Sequence, residues 1–202
     1  MKGILLLNGL PYAGEIEKGG AYVVCCDGAY EWARDKIEID ENVGDFDSLG
    51  YIPDPPPAEI FPGEKDFTDG EIALFKLIDG GAEEIEIYGG FGGREDHFIG
   101  NLHLLYAAFA RGVKARMIGK RCEIFIAGGT VKVGANAGET FSLLPFGKTV
   151  HIMGSTGCKY AYPEKIGYGE CRGISNVALI PDATVELAAD DYALIIVNRG
   201  KV

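Results

Sequence analysis

The sequence predicts a two-part protein: a Rossmann-like α/β domain, its parallel sheet covered by helices on both faces, followed by a smaller all-β sandwich domain. Three observations predict it. Up to about Gly119, short apolar runs alternate with helical segments. Beyond that point the helical period disappears, and short β-branched runs follow one another between glycine, proline and aspartate. The charge changes at the same place: residues 1–118 carry 22 acids and 10 bases, net −12, whereas 119–202 carry 8 and 9, net +1. We place the boundary near 119–122, giving domains 1–120 and 121–202.

Taken in order, "GILLL" has one lysine before it and too short an apolar core for a secretory signal, so it reads as a first strand. "AYVVCC" is the second strand, with a helix after it near Tyr30–Lys36. The prolines of "YIPDPPPAEIFPG" exclude a helix interior and predict a surface loop. In "KDFTDGEIALF", Thr68 and Glu71 have capping-box spacing and start a helix. "EIEIY" is a strand, and "DHFIGNLHLLYAAFARG" a long helix with Phe98, Ile99, Leu102, Leu105, Tyr106 and Phe109 at helical spacing and Gly112 as its stop. "KARMI" closes the first domain. The second domain reads as strands at "EIFIAGG", "TVKVGANAG", "TFSLLPFG", "TVHIMG", "NVALIPD", "TVELAADD" and "YALIIVNRG", the spacing of an antiparallel sandwich or partial barrel.

Composition excludes several function classes. A net charge of −11 argues against nucleic acid as a partner, because binding to a phosphate backbone is driven by lysine and arginine replacing counterions. No apolar run is long enough to cross a bilayer, so no membrane role is expected. The five cysteines include no CxxC pair and no zinc spacing, which predicts reduced thiols and a soluble, cytoplasmic protein.

The chemistry is expected where aspartates follow strands. If Val43–Asp47 ends a strand, Asp45 and Asp47 project to one face while Phe46 turns to the core. Their repulsion then calls for a hard divalent cation such as Mg²⁺; an aspartate-rich turn is the alternative. Asp66 and Asp69 flank a helix start, where Asp69 serves either the helix dipole or a ligand. In "YGGFGGREDHFIGN", Gly92 and Gly93 lie between a strand and a helix, a setting that brings backbone N–H groups to phosphate oxygens, although neither GxGxxG nor the Walker pattern is present. There Arg94 suits a phosphate clamp, and Asp96 suits either a nucleophilic hydroxyl, the metal shell or a helix cap; His97 flanks the helix. "CCDGAY" adds Asp27 and Gly28 after another strand. A parallel sheet gathers these strand-to-helix transitions along one edge, and a cluster so acidic would admit ATP as its Mg²⁺ complex.

These motifs resemble the thiamine pyrophosphokinase family. "CDGA" is similar to its aspartate-glycine step, "GDFDS" matches its metal segment, "KDFTD" matches its KDxTD segment, and "GGFGGREDH" corresponds to its GGxxGRxDH segment with one residue altered in spacing, followed by Asn101. In the second domain "TGCKY" and "GISN" are similar to its Thr-Gly-Leu-Lys-aromatic and Ser-Asn segments. Ala29 stands for a usual glycine and Cys158 for a usual leucine.

The resemblance implies transfer of diphosphate from ATP to thiamine, releasing AMP, with Mg²⁺ held by Asp45, Asp47 and Asp69. Arg94 would stabilise phosphate charge and Asp96 would hold the hydroxyl or the transferring group. Asp27, Gly28, Asp66, Gly92, Gly93, His97, Asn101 and Lys159 are expected to serve MgATP. In the sandwich domain, Ser175 and Asn176 would hydrogen-bond the thiamine pyrimidine while Tyr160 offers a ring face to the cationic vitamin. The resemblance further implies a homodimer with active sites where the subunits meet. Two rival readings are a Mg²⁺-dependent nucleotide or phosphate-ester hydrolase and a non-catalytic thiamine or nucleotide sensor.

Overall fold

The structure, a computed structural model, describes residues 1–54, 56–62 and 66–200. The chain forms two compact units, Met1–Lys120 and Arg121–Val202.

The first unit runs β1 (Lys2–Leu6), β2 (Tyr22–Cys26), α1 (Ala29–Ala33), β3 (Glu41–Gly44), β4 (Ala58–Ile60), α2 (Asp69–Asp79), β5 (Glu84–Tyr88), α3 (Glu95–Phe109) and β6 (Lys114–Ile118). All its strand pairings are parallel, in the order β6-β5-β1-β2-β3-β4. Parallel strands covered on both faces read as continuous apolar runs, and β1 and β2 do. On one face Ile4, Leu6, Val23 and Cys25 pack with Ala29 and Ala33 of α1. On the other, α2 approaches so closely that a Cβ on Gly3 would lie 3.1 Å from Leu77 Cδ2. The methyl group of Ala29, at the usual glycine position, is fully buried in the first of these layers.

Three local expectations are corrected. The first helix is shorter than Tyr30–Lys36, ending at Ala33. The proline-rich segment contains β4, a three-residue edge strand on β3, and Pro57 contributes a carbonyl that accepts the Asn42 N–H at 2.8 Å. Proline is tolerated at a sheet edge because its missing N–H would face away from the ladder; Pro55 and Gly63 of that segment lie outside the described residues. In α3 the buried residues are Leu104, Leu105 and Ala108, whereas Ile99 and Tyr106 of the anticipated stripe are exposed. The capping box of α2 is complete: Thr68 Oγ1 accepts the Glu71 N–H at 3.2 Å, and Glu71 Oε2 accepts the Thr68 N–H at 2.9 Å.

The second unit runs β7 (Cys122–Gly128), β8 (Thr130–Lys132), β9 (Thr140–Pro145), β10 (Val150–Thr156), β11 (Lys165–Ile166), β12 (Asn176–Val177), β13 (Thr184–Leu187) and β14 (Tyr192–Asn198). Its strands pair antiparallel in the orders β12-β9-β14-β7 and β11-β10-β13-β8. Phe125, Phe141, Leu143, Val150, Ile166, Val185 and Ile195 share one core. The two-residue β11 is too short to leave a periodic signal in sequence. Arg199 binds Glu123 and Glu139 through its planar fork, at 2.8 and 3.1 Å, and so ties the end of β14 to two other segments of the unit.

Candidate active site

The carboxyl ends of β2 and β3 build the densest acidic group. Asp27 follows β2 directly in a left-handed conformation, φ +38°, and donates its N–H to Val43 O at 2.9 Å. β3 stops at Gly44, so strand alternation does not orient Asp45 and Asp47. A turn does it instead. Phe46 adopts φ +57° and buries its ring, and its carbonyl accepts the Gly50 N–H at 3.1 Å. As a result one carboxylate oxygen from each of Asp27, Asp45 and Asp47 lies within 4.8 Å of the other two. Glycine at position 44 permits this approach, since a Cβ there would lie 3.0 Å from the Asp27 Cβ.

The electrostatics of this group are unbalanced. Asp27 is only 8% exposed; Ser48 Oγ donates to its Oδ2, while its Oδ1 is buried with no hydrogen-bond partner. Burying an unpartnered carboxylate oxygen beside two other carboxylates is costly unless a cation compensates. Hard oxygens from three carboxylates, two of them open to solvent on part of their surface, fit Mg²⁺ with water and phosphate oxygens completing its shell. The neighbouring Cys25 is no rival ligand, because burial, reinforced by the Asp27 charge, pushes its thiol far up and keeps it protonated.

Asp69, named in sequence as a metal ligand, does not belong to this three-carboxylate group, and Asp27, assigned there to nucleotide binding, does. Asp69 is the first residue of α2, where its charge suits the helix dipole. Cys26 Sγ donates to its carbonyl at 3.5 Å, which fixes the start of α2 beside the end of β2. Asp66 is exposed ahead of that helix, and Lys65 of the "KDFTD" motif lies outside the described residues. Ser48, which the sequence reading does not single out, closes the "GDFDS" motif, and its hydroxyl holds Asp27.

The glycine-rich loop joins β5 to α3. Gly92 and Gly93 both take left-handed φ, +65° and +72°, a consecutive pair that side chains would strain. Asn101 Nδ2 donates to Gly90 O at 3.0 Å, so this side chain braces the loop from α3. Gly28, N-terminal to α1, packs on the Asn8 amide, which a Cβ would meet at 2.3 Å. Arg94 and Asp96 pair bidentately: Nε donates to Oδ1 at 3.1 Å and Nη2 to Oδ2 at 2.6 Å. Both are exposed, as is His97, whose N–H donates to Asp96 Oδ1 at 2.9 Å. The Arg94 hydrogen bonds hold the Asp96 carboxyl below its ordinary value, leaving it ionised and weakly basic. Asp96 is therefore an acceptor that can orient a hydroxyl, and a poor proton-removing base.

In the second unit Tyr160 is 54% exposed, and Lys159 Nζ lies 5.2 Å from its ring centroid. Ser175 is exposed in a left-handed conformation, φ +61°, its N–H donating to Ser142 Oγ at 3.1 Å. Asn176, by contrast, is only 4% exposed. Its Oδ1 accepts the N–H groups of Tyr160 and Val177 at 3.0 and 2.8 Å, and its Nδ2 donates to Tyr160 O at 2.8 Å. Cys158, at the usual leucine position, packs against the core of this unit. Tyr162 packs there too, and burial pushes its phenol up to about 12.

Among the described residues, Asp27, Phe46 and Ser175 are the non-glycine residues with left-handed φ. Such strain persists where surrounding structure imposes it, and it concentrates at functional sites.

A family model described as thiamin pyrophosphokinase, catalytic domain, matches residues 15–117, just over half of the chain. The thiamine pyrophosphokinase of Bacillus subtilis is 34% identical over 128 residues, covering 59% of this chain and 60% of that protein. That match therefore spans less than two thirds of the relative's length. Among solved structures, the thiamine pyrophosphokinase of Bacillus subtilis superposes with a TM-score of 0.85 at 24% identity, covering 99% of this chain and 100% of that one. The thiamin pyrophosphokinase of Candida albicans gives 0.74 at 19% identity, covering 98% and 90%. These likenesses fix the fold.

Proposed function

The chain belongs to the thiamine pyrophosphokinase family, and from that premise we propose that it is a Mg²⁺-dependent ATP:thiamine diphosphotransferase. One observation carries the reading: within the span matched by the family model, Asp27, whose Oδ1 is buried and unpartnered, brings a carboxylate oxygen together with those of Asp45 and Asp47. The hydroxyl oxygen of thiamine attacks the β-phosphorus of ATP; the bond from that phosphorus to the α,β-bridging oxygen breaks, AMP leaves with the oxygen, and the hydroxyl proton is released. Such transfers ask mainly for positioning and charge neutralisation.

Asp27, Asp45 and Asp47 would hold Mg²⁺, with Asp69 nearby on α2 as a further carboxylate for the shell or its waters. When bound, the ion supplies charge neutralisation to the polyphosphate oxygens. Ser48 keeps Asp27 oriented. Gly92 and Gly93 leave loop N–H groups free of Cβ obstruction for phosphate, and Asn101 braces that loop. Arg94 neutralises phosphate charge, while Asp96, ionised and weakly basic, accepts the thiamine hydroxyl and orients it. Asp66, His97 and Lys159 are exposed groups available to the nucleotide. Residues 1–120 form the MgATP-binding catalytic domain, and residues 121–202 bind the vitamin through Tyr160, Ser175 and the segment Asn176 holds. The protein works as a cytoplasmic homodimer with active sites where subunits meet.

The test is product identification: thiamine and MgATP should yield thiamine diphosphate and AMP. Thiamine monophosphate with ADP, or phosphate released from ATP without thiamine, would refute the assignment.

A further inference from the structure

We infer that Asn176 is a positioning residue that acts on thiamine through Tyr160 rather than by touching the vitamin. The inference rests on the reading of the second unit as the vitamin-binding domain. The Asn176 amide is buried, and both of its polar atoms are engaged inside the protein. Oδ1 takes two backbone N–H groups, and Nδ2 donates to the carbonyl of Tyr160, a residue 16 positions away in sequence. An amide that clasps the N–H and the C=O of one residue imitates a pair of strand hydrogen bonds, and it fixes that residue's backbone dihedrals.

The clasp sits where ladder pairing is thin. Lys159 N–H donates to Val177 O at 2.9 Å, and Cys158 bridges Ala178 as an isolated pair, but no regular strand carries Tyr160. Without the amide, the Tyr160 peptide would have two polar groups unmatched and its ring would lose a fixed direction. The side chain that Asn176 directs is the exposed one, a ring already beside the Lys159 cation and suited to a cationic thiazolium. Ser175, next in the chain and exposed, is the member of the Ser-Asn pair able to meet the vitamin.

A double-mutant cycle in the full-length protein tests this, with thiamine diphosphate formation as the readout. Asn176→Ala should raise KM for thiamine about tenfold while kcat and the KM for MgATP stay within about twofold. Asn176→Asp keeps both acceptor contacts and turns the third into repulsion, so it should show the same KM defect. In a Tyr160→Ala background, adding Asn176→Ala should change KM by less than about twofold. A tenfold defect that persists in that background would make Asn176 a direct ligand and overturn the inference. A fall in kcat or folded fraction at unchanged KM, or an Asn176→Asp protein indistinguishable from its parent, would overturn it too. Hydrogen exchange across residues 156–162 separates the clasp from the function: it should accelerate in Asn176→Ala whatever the activity. Unchanged exchange there refutes the clasp, whereas a parent protein making no thiamine diphosphate refutes the thiamine reading.

Discussion

Asp27 and Asn176 are both buried polar side chains directly after or at the start of a strand, yet they are satisfied in opposite ways. Asp27 keeps one carboxylate oxygen without a partner next to two more carboxylates. Asn176 engages both polar atoms of its amide with backbone groups. Buried polar groups are normally paired, so an orphaned charged oxygen marks a place where a ligand completes the site, and an amide engaged at both of its polar atoms marks a place where geometry is held for something else. The left-handed residues follow the same division: Asp27 and Phe46 shape the carboxylate cluster, and Ser175 is exposed beside the engaged Asn176 amide.

The comparison breaks first at the carboxylates. Asp45→Asn or Asp47→Asn should lower diphosphotransfer by at least about a hundredfold in steady-state assays, since each removes charge that faces the ion and phosphates. Asp27→Asn should abolish the rise in Tm that Mg²⁺ gives the parent protein, while leaving Tm in chelator equal to or above the parent's, because it removes buried like-charge repulsion. A normal Mg²⁺ shift in that variant would show that the Asp27 carboxylate charge is not needed to hold the ion.

A satisfied carboxylate in the second unit sharpens the contrast. Burial alone would raise the Glu139 pKa, but hydrogen bonds from the Asn136 and Gly200 N–H groups and from Arg199 outweigh it and bring the value to about 2. With a folded value depressed below the ordinary 4.5, this stabilisation is fully present above pH 4.5 and is lost as pH falls toward 2. Glu139→Gln should therefore lower stability at neutral pH and flatten its decline across that acid range, as read from urea midpoints against pH. The smallest effect belongs to Ser175→Gly: relief of the left-handed conformation should stabilise the fold by up to about 1 kcal/mol, while KM for thiamine rises.

Local signals in the sequence carried much of this. The alternation of strands and helices, the Thr68–Glu71 capping box and the "GDFDS" motif depend on neighbours in the chain, and each is visible there. Grouping Asp27 with Asp45 and Asp47 depends on the parallel register that sets Cys26 beside Val43, which no local pattern encodes. Phe46 was expected to point inward by strand alternation; it does so through a left-handed turn, because β3 stops at Gly44. The apolar stripe found α3 but misjudged its buried face, since burial depends on what α3 packs against. The clasp of Asn176 on Tyr160 joins two segments whose roles were read from a family pattern, and the pattern records residue types without saying which atoms are already engaged.

The central claim is that the carboxylate group at the ends of β2 and β3 loads MgATP for transfer of a diphosphate to thiamine. Mass identification of the products from thiamine and MgATP, run beside Asp47→Asn, tests it most directly. Thiamine diphosphate and AMP from the parent, with neither from the variant above background, is the predicted result; thiamine monophosphate with ADP, or equal turnover by the variant, would contradict it.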